Sequence, residues 1–384
     1  MKIAFFMEAY LEQSSGVQTL ACTMAKGLRA LGHTVLIVSG DPHAEESYLD
    51  GSILHCPAKA SASSFGFSAR RGRISQLKPF LEEFSPDLIQ IMTYSEIGEA
   101  GINFAQQHQI PFIAVLHDLR DVRTGIPGNF LTQKITHSYF QNVFHKAVAS
   151  AAAVAATSPV LCREASGLQP NGHVVQLPLC ADSSRFRLRS SSKDGNENMR
   201  RWLHLEKKIG VLFVGRLDEE SGLSELLDEW AKQISKAGNL QLIIAGDGPD
   251  APALREKAKL AGIADQVTFA GQIPHHEIAQ CYDICSAYVS ASLSSTMKTP
   301  PVEAMCCGLP VILRKGCANE SMIQEGQNGF IYSTFHELAD LLKTLSSLDA
   351  RTTGRMKELV SAASKDFTED SLAHALADLY QTVI

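Results

Sequence analysis

Residues 2–39 read KIAFFMEAYLEQSSGVQTLACTMAKGLRALGHTVLIVS, and this stretch decides the fold. Residues 2–7 form a short apolar run that predicts a strand, and apolar residues then recur at helical spacing over 17–31 until Gly32 stops the pattern. Residues 34–39 form a second apolar run of strand length. Because parallel strands need a crossover connection, the stretch predicts one strand–helix–strand unit of an α/β sheet.

The same alternation of short apolar runs and helical stretches continues along the chain. The further predicted strands are 87–92, 112–116 and 152–156 in the first half, and 209–214, 240–245, 267–270, 287–290 and 310–313 in the second. Continuous apolar strands separated by helices indicate parallel sheets that are covered on both faces. The sequence therefore predicts an α/β protein with two Rossmann-like lobes, and two unrelated α/β domains are the alternative.

The length of the chain also predicts two domains, because 384 residues exceed what one ordinary hydrophobic core supports. Residues 188–200 are polar and rich in turn-forming residues, so we expect the linker there. The expected lobes are 1–190 and 201–365. A C-terminal helix within 366–384 is expected to pack back on the first lobe.

Composition argues against several classes of protein. Hydrophobic residues at 45% and charged residues at 20% are close to globular averages, and no apolar stretch reaches the ~18 to 20 residues of a membrane-spanning helix. The nine cysteines include no Cys-x-x-Cys pair, which argues against a disulfide framework or a zinc site. The net charge of -6 argues against a nucleic-acid partner. We expect a soluble, cytoplasmic protein without a signal peptide.

Three segments of the second half combine glycines with charged residues, and the first two of them begin at the ends of predicted strands. They read VGRL at 214–217, AGDGP at 245–249 and EAMCCGLPV at 303–311. In this order they resemble the retaining glycosyltransferases of family 4, whose fold is GT-B, with the parallel sheets of two lobes facing a central cleft. SGVQT at 15–19 and GHTV at 32–35 are similar to the glycine loop and a strand entry of that family, so the resemblance spans nearly the whole chain.

The resemblance implies transfer of a sugar, with retention, from a UDP- or GDP-linked nucleotide sugar in the second lobe to an acceptor in the first. His117, Arg216 and Glu303 would carry catalysis. Arg216 presents a fork of donors that matches two phosphate oxygens, and the leaving diphosphate needs such partners. Glu303 would accept hydrogen bonds from ribose or sugar hydroxyls, and His117 would lie near the donor sugar. We expect no metal and no cofactor besides the nucleotide sugar, which is a co-substrate.

Each of these residues also has a purely structural interpretation. Arg216 could form a surface ion pair with Asp218 or Glu219, Glu303 could stabilise a helix start, and His117 could be a satisfied structural group. Gly16, at a helix start where unpaired N–H groups favour anions, could equally form a plain tight turn. The residues expected to bind the donor are Gly16, Gly215, Arg216, Gly246, Gly248, Ser295, Lys298 and Glu303.

The chain departs from the family pattern at its expected donor contacts. Ser221 stands where the family has a lysine, and Ser295 where it has a second glutamate, and a serine cannot neutralise a phosphate. Pro300 and Pro301 have no N–H to donate, and Lys298 is hypothesised to restore positive charge. These departures favour the alternative of a glycosyltransferase-like subunit that has lost catalysis and serves a protein partner as scaffold or regulator. A GT-B epimerase is a further, less favoured alternative.

The acceptor side of the resemblance leans toward a lipid. FGFSARRGR at 65–73 mixes aromatic and basic residues, which suits an anionic membrane surface, although a solvated basic loop is the alternative. His117 and Asp118 are followed by IPGN at 126–129, as in the branch of the family that glycosylates diacylglycerol. The resemblance therefore implies a diacylglycerol-type acceptor and a peripheral position on the inner face of the membrane.

Overall fold

The computed structural model describes the chain from residue 1 to residue 384, apart from residues 10–15, 61–66, 70–74, 118–129, 170–171, 190–192, 237–238, 275–276 and 295–296. The chain forms two compact units. The first comprises Met1–Pro178 together with Glu369–Ile384, and the second comprises Leu179–Thr368.

The first unit is built on a nine-stranded sheet with the order β3-β4-β2-β1-β6-β7-β8-β9, in which β5 pairs with β4. Its strands are β1 Lys2–Ala9, β2 Thr34–Asp41, β3 Tyr48–Asp50, β4 Ile53–Ala60, β5 Phe67–Ala69, β6 Leu88–Ile91, β7 Phe112–Leu116, β8 Ala153–Ala156 and β9 His173–Gln176. The short strands β3 and β5 are antiparallel to β4, whereas the other pairings are parallel. β1 lies in the interior of this sheet, and its apolar run is therefore buried.

Helices cover this sheet, and the predicted apolar spacing sets the buried face of the first of them. They are α1 Gly16–Ala30, α2 Leu77–Phe84, α3 Glu96–His108, α4 Phe130–Ser150, α5 Pro159–Leu168 and, from the end of the chain, α13 Glu369–Gln381. In α1, Ala21, Met24, Ala25 and Leu28 are fully buried, which is the spacing of one helix face.

The C-terminal helix α13 packs against α1 in the first unit. A Cβ atom at Gly27 would lie 2.7 Å from the Cβ of Ala373, so the two helices approach closely. The Lys26 ammonium lies 3.1 Å from a carboxylate oxygen of Glu369. The buried Tyr380 hydroxyl donates to the side-chain oxygen of Gln90. The last helix thus completes the core of the unit that contains the first residues of the chain.

The second unit is built on a six-stranded parallel sheet with the order β12-β11-β10-β13-β14-β15. Its strands are β10 Ile209–Val214, β11 Leu240–Ala245, β12 Val267–Gly271, β13 Ala287–Ser290, β14 Val311–Arg314 and β15 Gly329–Tyr332. Its helices are α6 Lys193–Trp202, α7 Leu223–Lys232, α8 Ala251–Leu260, α9 Ile278–Ile284, α10 Pro300–Cys306, α11 Phe335–Ser346 and α12 Ala350–Ala363. Leu212 packs into one apolar cluster and its neighbours Val211 and Phe213 into another, so both faces of the sheet are covered.

The structure contains strands that the periodicity did not predict. These are β3, β4, β5, β9 and β15. β4 contains His55, Pro57 and Lys59, and β9 is only partly buried, so neither forms the continuous apolar run on which the predictions rested. Such strands are held by pairing with a neighbour rather than by their own pattern.

The boundary between the units differs from the predicted linker. The units divide after Pro178, and Leu179, Ala181 and Phe186 are buried in the core of the second unit. The polar stretch within 188–200 instead includes the start of α6, whose Met199 is buried in the same core. A few buried apolar residues spaced among polar ones therefore attach this stretch to the core of the second unit, although its composition is typical of a linker.

Candidate functional site

In the second unit, the loops that follow β10 and β11 are held to each other by backbone hydrogen bonds. The Gly215 N–H donates to the Ala245 carbonyl at 3.0 Å, and the Leu217 N–H donates to the Asp247 carbonyl at 3.0 Å. The Asp250 N–H donates in turn to the Leu217 carbonyl at 3.0 Å. The VGRL and AGDGP segments thus form one connected loop pair at the carboxyl ends of adjacent strands, which is where ligands bind in open α/β sheets.

Two glycines allow this contact between the loops. A Cβ atom at residue 246 would lie 1.8 Å from the Gly215 carbonyl oxygen, and one at residue 248 would lie 2.3 Å from the Leu217 carbonyl oxygen. Gly246 also has a φ of +149°, which L side chains rarely adopt. Gly246 and Gly248 are therefore needed for the two loops to touch, whatever they contribute to a ligand.

Arg216 is exposed at the tip of the first loop. Its side chain is 65% exposed, and its Nε lies 3.4 Å from an Asp218 carboxylate oxygen. The guanidinium is therefore in the surface ion pair that the structural alternative predicted. An exposed pair of this kind is worth only ~0 to 1 kcal/mol, so it can be exchanged for phosphate oxygens at small cost.

Ser221, where the family has a lysine, lies inside the turn that follows Arg216. It is buried, its hydroxyl donates to the Asp218 carbonyl at 2.6 Å, and that hydroxyl accepts from the Leu223 N–H at 3.3 Å. The hydroxyl thus connects the short 3-10 turn Glu219–Ser221 to the start of α7. Its role is to close the turn, and the exchange of lysine for serine removes a positive charge from the loop.

Glu303 is a buried carboxylate near the start of α10. It is only 4% exposed, and one of its carboxylate oxygens accepts a 2.8 Å hydrogen bond from the hydroxyl of Tyr282 in α9. The residue that precedes the helix, Thr299, makes no side-chain cap, and the Glu303 carboxylate is bound to Tyr282. This contact joins two separate helices, and nothing in the sequence pattern predicted Tyr282.

Lys298 lies between β13 and α10. The side chain of the buried Asn319 hydrogen-bonds to both the N–H and the carbonyl of Lys298. The Lys298 N–H donates to the Asn319 side-chain oxygen at 2.8 Å, and the Asn319 side-chain N–H donates to the Lys298 carbonyl at 2.8 Å. The Lys298 side chain is half-buried. This segment is therefore held in one backbone conformation by Asn319, a residue that the sequence analysis did not identify.

The start of α10 has few backbone donors to offer a ligand. Pro300 and Pro301 occupy its first positions and carry no N–H. The Val302 N–H donates to the Thr299 carbonyl at 2.9 Å, and the Lys298 N–H is bound to Asn319. Besides the two prolines, the Lys298 and Val302 N–H groups are therefore already bonded within the protein.

In the first unit, His117 follows β7 directly. Its Nε2 lies 2.7 Å from the carbonyl oxygen of Met92, the residue after β6. Because a carbonyl only accepts, Nε2 carries a proton in this contact. The hydrogen bond thus fixes the orientation of the ring at the carboxyl ends of two adjacent strands. The neighbouring Asp118 lies outside the described residues.

A group of buried polar side chains near the same strand ends was missed by the sequence analysis. Glu8, in β1, is 1% exposed, and its backbone N–H donates to the Thr93 hydroxyl at 2.8 Å. The Thr93 hydroxyl lies 3.4 Å from that of Ser95. The available signal was the glutamate that interrupts the apolar run of β1. A buried carboxylate is costly unless it is hydrogen-bonded, so its position in a core strand is informative.

The remaining expected residues are described only in part. Gly16 is the first residue of α1, and residues 10–15, which precede it, lie outside the described part of the chain, as does Ser295. Of the segment 65–73, only the backbone of β5, Phe67–Ala69, is described. Among the described residues, no helix is long and apolar enough to span a bilayer. Nor do those residues include a group of three or more His, Cys, Asp or Glu side chains arranged to hold a metal ion.

The chain resembles known glycosyltransferase families over most of its length. A family profile described as "Glycosyl transferases group 1" matches residues 194–365, and one described as "Glycosyltransferase Family 4" matches residues 14–185. The alpha-monoglucosyldiacylglycerol synthase of Acholeplasma laidlawii is 22% identical over 100% of this chain and 98% of its own. The synthase of the same name from Streptococcus pneumoniae is 26% identical over 88% of this chain and 77% of its own.

A solved structure shows the same fold. Anabaena HepE in complex with UDP superposes with a TM-score of 0.73 at 19% identity, covering 100% of both chains. Its likeness confirms the predicted GT-B fold class, with two α/β lobes built on parallel sheets. The relatives in these comparisons are named as enzymes, and none of the matches supports the alternative of a subunit without catalysis.

Proposed function

The chain belongs to family 4 of the glycosyltransferases, and on that premise we propose how it acts. It transfers a sugar, with retention of the anomeric configuration, from a UDP- or GDP-linked donor to a diacylglycerol-type lipid. The lipid acceptor is proposed because two relatives that span most of the chain are named alpha-monoglucosyldiacylglycerol synthase.

One observation supports the donor site above the others. The connected loops after β10 and β11 carry an exposed Arg216 at the carboxyl edge of the second sheet. A nucleoside diphosphate gains negative charge as the glycosidic bond breaks, and a guanidinium presents two parallel N–H donors to its oxygens. We therefore assign the diphosphate to Arg216, which exchanges its contact with Asp218 for the phosphate.

The charge balance makes Arg216 more important here than the family pattern alone implies. Ser221 brings no charge, Pro300 and Pro301 carry no N–H, and the Lys298 and Val302 N–H groups are already bonded. Fewer groups therefore stabilise the departing diphosphate, and the share carried by one guanidinium rises. In this proposal Glu303 accepts hydrogen bonds from donor hydroxyls, and His117 stays a predicted sugar-binding residue.

Retention follows in this proposal from attack of the acceptor hydroxyl on the face that the diphosphate leaves. The bond from the anomeric carbon to the phosphate oxygen breaks, and the bond from that carbon to the acceptor oxygen forms. The acceptor proton passes to the departing diphosphate. The residues of this chain bind, orient and neutralise, and no covalent bond to the protein is required.

The first experiment titrates the protein calorimetrically with UDP, GDP, ADP and their glucose or mannose conjugates. We expect binding of a uridine or guanosine donor, followed by transfer of radiolabelled sugar to dioleoylglycerol in mixed vesicles. The anomeric configuration of the product is read by NMR. Absence of binding to every nucleotide in the panel would contradict the proposal and return the scaffold alternative to consideration.

The transfer is also proposed to need no metal ion. The proposal assigns the neutralisation of the diphosphate charge to Arg216. The same transfer assay with EDTA in excess over all divalent ions is expected to retain the full rate. Loss of transfer in EDTA that added Mg²⁺ or Mn²⁺ restores would show that a metal shares this role.

A peripheral membrane position is the final part of the proposal. An acceptor of the diacylglycerol type is buried in a bilayer, so the enzyme must reach the bilayer surface. Sedimentation with phosphatidylglycerol vesicles, compared with phosphatidylcholine vesicles and with high salt, measures this contact. We expect binding to the anionic vesicles that salt reverses, whereas equal recovery from both vesicle types would argue against an electrostatic contact.

A further inference from the structure

The contact between Tyr282 and Glu303 carries an inference beyond the residues already assigned. The Tyr282 hydroxyl lies 2.8 Å from a Glu303 carboxylate oxygen, and the two residues belong to different helices, α9 and α10. Tyr282 is fully buried. A carboxylate in such surroundings is stable only with hydrogen-bond partners, and the tyrosine is one of them.

The Tyr282 hydroxyl is the donor in this hydrogen bond. Burial, followed by the nearby Glu303 charge, raises the pKa of Tyr282 well above its usual range. The phenol therefore remains protonated and donates, and the carboxylate accepts. An ionised carboxylate offers about four lone-pair positions, so one donated hydrogen bond restricts its orientation without exhausting its capacity to accept.

Tyr282 is itself held in place by packing. Its ring meets the buried ring of Phe186 edge to face, with centroids 5.9 Å apart and planes at 70°. A second buried tyrosine, Tyr288, donates to the carbonyl of Val214 at 3.3 Å, directly before the loop that carries Arg216. Both tyrosines belong to one apolar cluster of the second unit. The cluster thus supports two elements that the proposed function uses.

We propose that Tyr282 is a positioning residue that holds the Glu303 carboxylate in the orientation in which it receives hydroxyl groups of the nucleotide sugar. The inference rests on the proposed function, because it takes Glu303 to contact the donor. Without the tyrosine hydroxyl, the Glu303 side chain would lose part of its fixed orientation. Fixing that orientation when the donor binds would cost free energy and weaken binding.

A purely structural role for Tyr282 predicts a different result. In that case the hydroxyl only satisfies a buried carboxylate, and its removal lowers stability without altering the affinity of the folded protein for a ligand. Stability and affinity are therefore measured on the same variants. Tyr282→Phe removes one oxygen and retains the ring that packs on Phe186. Tyr380→Phe, which removes a buried hydroxyl in the first unit, is the matched control.

The experiment measures calorimetric dissociation constants for UDP, GDP and their glucose and mannose conjugates. For the ligands that the wild-type protein binds, Tyr282→Phe is expected to weaken binding by about tenfold, and Tyr380→Phe to leave it unchanged. A loss with the bare nucleotide assigns the contact to ribose hydroxyls, and a loss with the conjugate alone assigns it to the sugar. Glu303→Asp, which retracts the carboxylate by one methylene group, is expected to weaken binding similarly.

A double-mutant cycle with Glu303→Gln separates positioning from general damage. If Tyr282 acts through the carboxylate, Tyr282→Phe weakens binding much less in the Glu303→Gln background than in the wild type. Equal losses in both backgrounds, or an unchanged affinity of Tyr282→Phe, would overturn the positioning role while the wild-type binding still supports the proposed function. A wild-type protein that binds no ligand in the panel contradicts both.

Discussion

Gly246 approaches Gly215 so closely that a Cβ atom at residue 246 would lie 1.8 Å from the Gly215 carbonyl oxygen. This contact joins the loops that follow two adjacent strands, and the Gly215 N–H bond to the Ala245 carbonyl supports it. Gly246 and Gly248 are therefore explained first by packing of one loop on another, and the position of Arg216 depends on that packing.

Gly246→Ala is expected to separate the two loops. The new methyl group would overlap backbone atoms, which cannot move aside as a flexible side chain can, so we expect a loss of about 3 kcal/mol of unfolding free energy. Donor affinity should fall as well, because Arg216 would move. Urea unfolding and nucleotide titration measure the two effects. Gly354→Ala, in α12, has no atom within 4 Å of its added Cβ and is the control. Its donor affinity should stay unchanged and its stability should rise by about 1 kcal/mol, because alanine is favoured over glycine inside a helix.

Arg216→Ala is expected to lower the rate constant of sugar transfer by about 10²- to 10³-fold, since one donor to a developing charge is worth ~2.7 to 4 kcal/mol. Stability should change little, because the exposed pair with Asp218 is worth at most ~1 kcal/mol. Arg216→Lys should recover only part of the rate, since an ammonium lacks the fork of parallel donors. Steady-state kinetics measures these rates, and Arg355→Ala, which removes another exposed arginine, is the control. An Arg216→Ala variant that retained the wild-type rate, as the control should, would refute this assignment.

Ser221→Ala tests whether the serine in place of the family's lysine is structural. The variant loses the hydrogen bonds of the hydroxyl to the Asp218 carbonyl and from the Leu223 N–H, so a loss of about 1 kcal/mol in stability is expected. The dissociation constant for the donor nucleotide should stay within twofold of the wild type, because the hydroxyl bonds within the protein. A large loss of affinity with no loss of stability would instead mean that the hydroxyl contacts the ligand.

Asp283 is expected to make stability depend on pH. Burial raises the pKa of its carboxyl from 3.8 to about 6, although Arg189 and Lys357 act in the opposite direction. A carboxyl whose pKa is higher in the folded state binds its proton more tightly there. Its contribution to stability is therefore complete below about pH 4 and is lost as pH rises to about 6.

Asp283→Asn removes this titration. The unfolding free energy of the wild type relative to the variant is expected to be larger at pH 4 than at pH 7, with most of the change between these values. Urea unfolding of both proteins across that range provides the measurement. A difference that is constant, or that grows toward pH 7, would mean that the ion pair with Arg189 outweighs burial.

Much of the architecture follows from periodicity alone. The strands β10, β11 and β13 have the predicted bounds, because a strand covered on both faces is an uninterrupted apolar run with sharp ends. β4 and β9 escaped prediction because they contain polar residues and depend on a paired neighbour. The division after Pro178 was also hidden, because three apolar anchors within a polar stretch have no periodic signature.

The candidate site also has a part that could be predicted from the sequence and a part that could not. The positions of Arg216 and Glu303 directly after a strand and near a helix start were readable from the chain, because strand ends and glycines mark them locally. Their partners were not. Tyr282 is brought to Glu303, and Asn319 to Lys298, by the packing of separate elements.

By itself the sequence determined the parallel strands at the centre of the two sheets, and its motifs resembled those of a glycosyltransferase family, since both depend on residue type and local spacing. Only the tertiary structure decided that the buried Tyr282 donates to Glu303 and that Asn319 binds the backbone of Lys298. Those outcomes depend on which distant side chains share a low-dielectric interior, where a hydrogen bond gained or lost decides the orientation of a charged group.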